Sequence, residues 1–528
     1  MNERKRYVIA ADMGTTSVKA LLVDPEGVIH AAHSVFYPLH TPAPGIAEQD
    51  PNRMADGVLD GIGELLRKTE VQPEEILAVS FSTAMHSLMA MDAEGSPLTP
   101  LLTWADSRSA AYADRLKQSG RGDTLYRRTG TPIHPMSPLV KLLWLRDENP
   151  EIFGKAAKFI GIKEYVFFRL FGKYLVDHSS ASATGLLHMD TLSWDTMALE
   201  EAAIQEGQLS ELVPPHHCER GLPDWAVERT GLPADTPFVI GAADGPLANL
   251  GAGAVLPGSW ALTVGTSGAV RTTVKAPLAD PQGRLFCYSL ADGLWVVGGA
   301  VNNGGILFRW TRDVLATQEA ETARASGLDP YDYLTAIARE VPPGSEGLLF
   351  LPYLLGERSP YWNANARGVF FGLTMSHEKK HMIRAVMEGV VYGLDSVAAA
   401  LEEMTGGAEE VRVSGGMAKS PLWRQMLADV LKKPISLMES VESSGLGAAY
   451  LGFWAMGEKA GLDGIREWTH VQEEHQPNPQ ASGQYGELKG IYTRLYQRLE
   501  PEFAVIADYQ ARQKPMEEGF TKTSGTKG

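Results

Sequence analysis

Cysteine is almost missing: Cys218 and Cys287 are the only two in 528 residues. A disulfide framework is excluded, and a reducing compartment is expected. Long apolar runs are missing too. The longest candidate, Met382–Met404, is broken by Arg384, Glu388 and Asp395, so nothing approaches the roughly 20 apolar residues that cross a bilayer. The first residues, Met-Asn-Glu-Arg-Lys-Arg, lead into an apolar strand with no cleavable apolar segment, and a cytoplasmic chain is expected. Excess positive charge is also lacking, with 48 Lys and Arg against 64 Asp and Glu and a formal net charge of −16. That balance argues against nucleic acid or an anionic membrane as partner. It does not exclude a phosphate ligand, because exposed charges are screened beyond about 8 Å and local donors decide. With 44% hydrophobic and 21% charged residues, the composition is that of a soluble globular protein too long for one core.

Two glycine turns stand out. Tyr7-Val8-Ile9-Ala10-Ala11 runs into Asp12-Met13-Gly14-Thr15-Thr16, and Trp260-Ala261-Leu262-Thr263-Val264 runs into Gly265-Thr266-Ser267-Gly268. Glycine lets backbone N–H groups approach an anion, and the Thr and Ser hydroxyls add donors. Two such strand–turn–strand units predict a paired clamp on nucleotide phosphates, with Gly14, Thr15 and Thr16 facing Gly265, Thr266 and Ser267. Asp12 suits a Mg²⁺ ion, held directly or through water; the alternative is an ordinary turn Asp. Lys19 either reaches the transferred phosphate or faces solvent.

Around these turns the pattern alternates. Ser17–Val23 and Val28–Ala32 read as strands, Asp50-Pro51 opens a helix to about Lys68, and Ile76–Ser82 and Leu88–Met91 are strands again. Tightly joined strands followed by helix and strand predict a mixed sheet. The grammar restarts after Phe238-Val239-Ile240, which places a domain boundary near residue 250, between an N-terminal unit 1–249 and a C-terminal unit 250–512. Residues 513–528, rich in Lys, Glu, Gly and Thr, read as a disordered tail. His216-His217-Cys218-Glu219 reads as a surface loop, since adjacent ligands do not easily face one ion.

Two longer segments carry a resemblance. Met136-Ser137-Pro138-Leu139-Val140-Lys141 through Glu148, and Gly368-Val369-Phe370-Phe371-Gly372-Leu373 through Glu388, resemble the two signatures of the FGGY carbohydrate kinases. The resemblance runs from Tyr7 to about Tyr509 and implies an α/β protein of two ribonuclease-H-like (actin-like ATPase) domains, with mixed sheets hinged around a central cleft. It also implies ATP with Mg²⁺ as cofactor, and a homodimer is left open. Phe81-Ser82-Thr83-Ala84-Met85-His86-Ser87, Thr103-Trp104-Ala105-Asp106-Ser107-Arg108 and Gly161-Ile162-Lys163-Glu164-Tyr165 are most similar to the members that phosphorylate D-gluconate. A ketose such as xylulose or another polyol is the alternative acceptor, and a non-catalytic actin-like ATP-binding module is the distant one.

Asp244, in Gly241-Ala242-Ala243-Asp244-Gly245-Pro246, follows a strand and precedes a helix. A helix N-terminus keeps a carboxylate ionised and ready to accept a proton. Read alone it is equally a helix cap; the resemblance makes it the catalytic base. By the same resemblance Gly304, Gly415, Gly416 and Ser420 line the nucleotide site, although Ser420 also reads as a simple cap. Met85, His86, Trp104, Asp106 and Arg108 offer what a polyol needs: an apolar wall, hydroxyl acceptors and orienting donors. An acid acceptor adds a carboxylate, for which Arg108 or Lys163 is the expected cation, Arg being better at a bidentate grip. Gly356-Glu357-Arg358-Ser359-Pro360 resembles a segment near the cleft and is expected to be structural.

Overall fold

The computed structural model describes residues 6–291, 293–440 and 442–513. Two mixed sheets carry the architecture. The first is built from β1 (Tyr7–Met13), β2 (Ser17–Val23), β3 (Ile29–Phe36), β4 (Ile76–Thr83), β5 (Cys218–Glu219) and β6 (Phe238–Ala243), in spatial order β5-β6-β4-β1-β2-β3. The second uses β7 (Ser259–Val264), β8 (Gly268–Val274), β9 (Phe286–Ala291), β10 (Leu294–Val301), β11 (Glu410–Ser414), β12 (Ile435–Met438) and β13 (Val471–His475), in order β9-β10-β8-β7-β11-β12-β13. Their cores match in sense. β1 is antiparallel to β2 and parallel to β4, as β7 is antiparallel to β8 and parallel to β11, and each sheet has an antiparallel edge strand beyond. The likeness of the two glycine hairpins in the sequence thus extends to whole sheets.

Local signals account for most of these elements. Helix α1 (Pro51–Arg67) starts where Asp50 caps it, its side chain accepting from the amides of Asn52 and Arg53, with Pro51 at the first helical position. β3 runs longer than the expected Val28–Ala32, to Phe36. It is an edge strand paired along β2 from Val23↔Ile29 to Ser17↔Phe36, so polar His33 and Ser34 continue it without cost. The strand expected at Leu88–Met91 is Met89–Met91, paired with Lys158–Ile160. Gly241 (φ 70°) sits at a register shift between β6 and β4, where a Cβ would lie 1.8 Å from the Phe81 carbonyl oxygen. Only glycine fits there. Of the expected tail, Gln513 ends the last helix, Pro479–Gln513, and the remaining positions lie outside the described residues.

One element escapes a simple division of the chain. Helix α2 (Asp244–Gly251) leaves the first sheet, and helix α3 (Ser443–Ala455), from far downstream, returns to pack on it. Leu446, Ala448, Ala449, Leu451 and Phe453 of α3 share one apolar cluster with Val8, Ala10 and Ala78 of the first sheet and Phe286, Tyr288 and Val296 of the second. The two helices touch through glycine: a Cβ on Gly251 would lie 1.8 Å from the Ser443 carbonyl oxygen, and one on Gly447 would lie 2.1 Å from that of Leu247. Backbone meets backbone, and nothing flexible can yield. Gly447→Ala is therefore expected to destabilise by about 1–3 kcal/mol or more, despite the higher helix propensity of Ala. Urea unfolding measures this; an unchanged or raised midpoint would refute the tight crossing.

Candidate active site

In the first sheet, β6, β4 and β1 run parallel and end at one edge, with Ala243 opposite Thr83 and Asp12 opposite Ser82. In the second, β7 and β11 likewise end together, with Thr263 opposite Ser414. Open α/β sheets bind ligands outside these carboxyl ends. The predicted site residues emerge there: Asp12 and the Gly14–Thr16 turn after β1, Met85 and His86 after β4, Asp244 after β6, Gly265–Ser267 after β7, and Gly415–Ser420 after β11.

Asp244 is the first residue of α2, and its Oδ1 accepts from the amide of Gly245 at 2.7 Å. Burial pushes its carboxyl up to about 6, the nearby charge of Asp12 adding to this and Arg271 opposing it. Such a group is ionised at neutral pH yet basic enough to take a proton, which suits a general base. Asp12 is also pushed up by burial, and its Oδ2 accepts from the Ser444 hydroxyl, on the first turn of α3, at 2.7 Å. Among the described residues no cationic side chain lies within ion-pair distance of Asp12. A half-buried carboxylate without a cation, beside a phosphate-type turn, is a donor set that fits Mg²⁺, which takes one or two carboxylates and otherwise phosphate and water.

The two hairpin tips are built alike. The Gly14 amide donates to the Ser17 carbonyl at 2.9 Å, and that of Gly265 to the Ser267 carbonyl at 2.9 Å. Tyr37 Oη donates to the Gly14 carbonyl at 2.7 Å, Gln49 Nε2 to that of Thr15, and the Tyr37 amide to that of Thr16 at 3.0 Å. The second tip is held by the next helix: the amides of Gly305 and Ile306 donate to the carbonyls of Gly265 and Thr266. Gly304 makes this possible, since a Cβ there would lie 2.6 Å from Ser267 backbone. Gly415 (φ 98°) turns the chain away from β11, and Gly416 is open. Ser420 stands at the N-cap of the helix Pro421–Leu431 but makes no capping bond; its Oγ is buried without a partner. Lys19 departs from both expectations. It pairs with Glu442 at 2.8 Å, which joins β2 to the residue before α3.

The acceptor residues divide. Trp104 Nε1 donates to Thr15 Oγ1 at 2.9 Å, tying the acceptor loop to the first hairpin. His86 holds φ 69° and its Nδ1 donates to the Ala183 carbonyl at 2.7 Å; burial, then Lys141, push the ring down to about 3, so it is neutral with Nε2 as an acceptor. Met85 reaches toward Gly245, where a Cβ would lie 2.9 Å from its methyl. Met85 and Trp104 line one small cavity with Gly14 and Thr15, and His86 packs against Tyr288. Asp106 and Arg108 instead face each other: Asp106 takes Arg108 on both oxygens and the Ala47 amide, while Arg108 also pairs with Glu48 and lies over the Trp144 ring. Lys163 is buried against Asp177. The two cations expected for an acid acceptor are thus each paired with a neighbouring carboxylate.

Several participants were not expected. Lys141, inside the first signature, donates to the carbonyls of His86 and Thr103 at 2.6 and 2.7 Å and joins the two acceptor loops; burial pushes it down to about 7. Glu357 matches its structural expectation, accepting from the Asn302 amide at 2.6 Å and Asn303 Nδ2 at 3.2 Å beside Gly304. The Arg358 guanidinium lies 5.2 Å from the centre of the Trp104 ring and donates to the Val301 carbonyl. Arg271, on β8, comes within 3.6 Å of where a Gly245 Cβ would stand. The signature segment signalled Lys141; nothing local signalled Arg271.

Two matching glycine hairpins and two raised carboxyls, Asp12 and Asp244, thus stand at the carboxyl ends of the strands. Residues 7–251 match the FGGY family of carbohydrate kinases, N-terminal domain, and residues 260–456 match its C-terminal domain. The chain belongs to this family, and the ATP-dependent carbohydrate kinase fold and class follow. It is 48% identical over 510 residues to a gluconokinase of Bacillus subtilis (strain 168), covering 96% of this chain and 98% of that one. Crystal structures of a ligand-bound xylulose kinase and a gluconate kinase, both from Lactobacillus acidophilus, match with TM-scores of 0.90 and 0.89. Each is 37% identical and covers 95% of this chain and 100% of its own.

The raised Asp244 carboxyl has a stability consequence. Its folded value, about 6, exceeds the ordinary 3.8, so ionising it in place costs stability that appears as pH rises from about 4 through about 6. Asp244→Asn is expected to melt higher than the parent at pH 8, with the advantage vanishing below pH 4. Thermal melts across that range test this; an Asn variant that is less stable at pH 8 would contradict it.

Proposed function

We propose that this chain transfers the γ-phosphoryl group of Mg²⁺·ATP to D-gluconate, giving 6-phospho-D-gluconate, in the cytoplasm. One observation carries the chemistry: the raised carboxyl of Asp244, at the same sheet edge as the first hairpin tip. Asp244 accepts the proton of the attacking hydroxyl, a contribution of roughly 10²–10⁴-fold. The hairpins Gly14–Thr16 and Gly265–Ser267 hold the phosphates in line with it. Mg²⁺, when bound, neutralises phosphate charge; Asp12 is the residue that would hold it. Gly304, Gly415, Gly416 and Ser420 receive the nucleoside end, and the unpartnered Ser420 hydroxyl supports a ligand contact there rather than a cap. Met85, His86 and Trp104 line the acceptor. The near-full-length likeness to a gluconokinase supports gluconate over a ketose, and two free cysteines suit a reducing compartment.

A panel of D-gluconate, D-xylulose and neutral polyols with ATP and Mg²⁺ tests the reading. Gluconate is expected to give the highest kcat/KM by at least an order of magnitude; preference for xylulose would replace it with the ketose. Asp244→Asn is expected to retain ATP binding and lose about 10²–10⁴-fold in turnover. Near-normal turnover would remove Asp244 from the role.

A further inference from the structure

We propose that Arg271, with Arg358 beside it, recognises the carboxylate of the acid acceptor and so sets the preference for a sugar acid over a neutral sugar. The inference rests on the kinase reading above and assigns its substrate charge to named residues. Arg271 lies in the middle of β8, opposite Ala261 on β7 and Gly298 on β10. A Cβ on Gly298 would stand 2.9 Å from both Cα and Cγ of Arg271, so glycine there gives the arginine stem its path. At the far end, the Gly245 position brings the Arg271 head and the Met85 methyl within 4 Å of one point. The guanidinium thus lies beside the Met85 methyl, at the residue that follows Asp244.

Its donors are unspent. Arg271 Nε and Nη1 are buried with no hydrogen-bond partner, as is Arg358 Nε. Among the described residues neither guanidinium has a carboxylate within ion-pair distance, in contrast to Arg108, which has two. Arg358 makes one bond, from Nη2 to the Val301 carbonyl at 3.2 Å, and stacks toward Trp104. The Tyr288 hydroxyl, buried against His86, also lacks a partner. Buried charged donors left unpaired are costly, and a carboxylate bound by a planar fork satisfies two at once. Asp244 attracts both arginines through space but must keep its oxygens for the reacting hydroxyl. An anionic acceptor fills the deficit; a neutral ketose does not.

The test uses Arg271→Gln and, as a second route, Arg358→Gln, each checked for folding by thermal melting. Calorimetry gives dissociation constants for D-gluconate and for ATP, and steady-state kinetics give kcat. Loss of a charge-assisted pair is expected to weaken gluconate about 10–100-fold in either variant while ATP changes less than about twofold. Arg271→Lys is expected to fall between, as a point charge without the fork. An unchanged gluconate constant overturns the inference. If that constant is unchanged while kcat falls, Arg271 serves the phosphoryl group instead, which also overturns it. A parent enzyme that ignores gluconate and turns over xylulose would instead defeat the functional reading.

Discussion

The whole arrangement depends on the crossing of α2 and α3 through Gly251 and Gly447. Because backbone meets backbone there, the end of α2 at Gly251 is held against the start of α3 at Ser443, and Leu247 against Gly447. The first turn of α3 carries Ser444, which donates to Asp12, and α2 begins with Asp244. Glu442, just before α3, is gripped by Lys19 of β2. A helix encoded more than four hundred residues after Asp12 therefore helps to shape the carboxylate that first marks the chain. The packed apolar cluster around α3 is shared by both sheets and keeps that geometry.

Charge is distributed with a division of labour. Cations near the acceptor loops fall into two sets: those already matched, Arg108 with Asp106 and Glu48 and Lys163 with Asp177, and those not, Arg271 and Arg358. In the proposed complex, the second set receives the substrate carboxylate. The two carboxylates divide in the same way, Asp12 accepting from Ser444 and Asp244 bonded only to its neighbour's amide. Burial raises both, and in the proposed reaction this suits Asp244 to accept a proton from an alcohol.

Features set by neighbours along the chain are legible in the sequence. The glycine turns, the Asp50-Pro51 cap, the strand-to-helix step at Asp244 and the hairpin Trp260–Thr273 all reappear, with β7 and β8 spanning Ser259–Val274. Features made by distant pairing are not. Arg271 looks like any strand arginine until β8 is set beside Gly298 of β10. Arg108 and Lys163 look like free cations until Glu48 and Asp177 fold against them. Ser420 reads as a nucleotide contact or a cap, and only the fold shows its hydroxyl buried without a partner. The role of Lys141 was carried by a signature segment, but its purpose, bridging two loop carbonyls, appears only in three dimensions.

A crystal structure of the Asp244→Asn variant with Mg²⁺·ATP and D-gluconate examines the central geometry directly. The account requires one acceptor hydroxyl within about 2.6–3.2 Å of the residue 244 side chain and the γ-phosphate beyond it, in line and cradled by both glycine turns. A side chain at 244 turned out of the crevice, or a nucleotide touching only one turn, would contradict it.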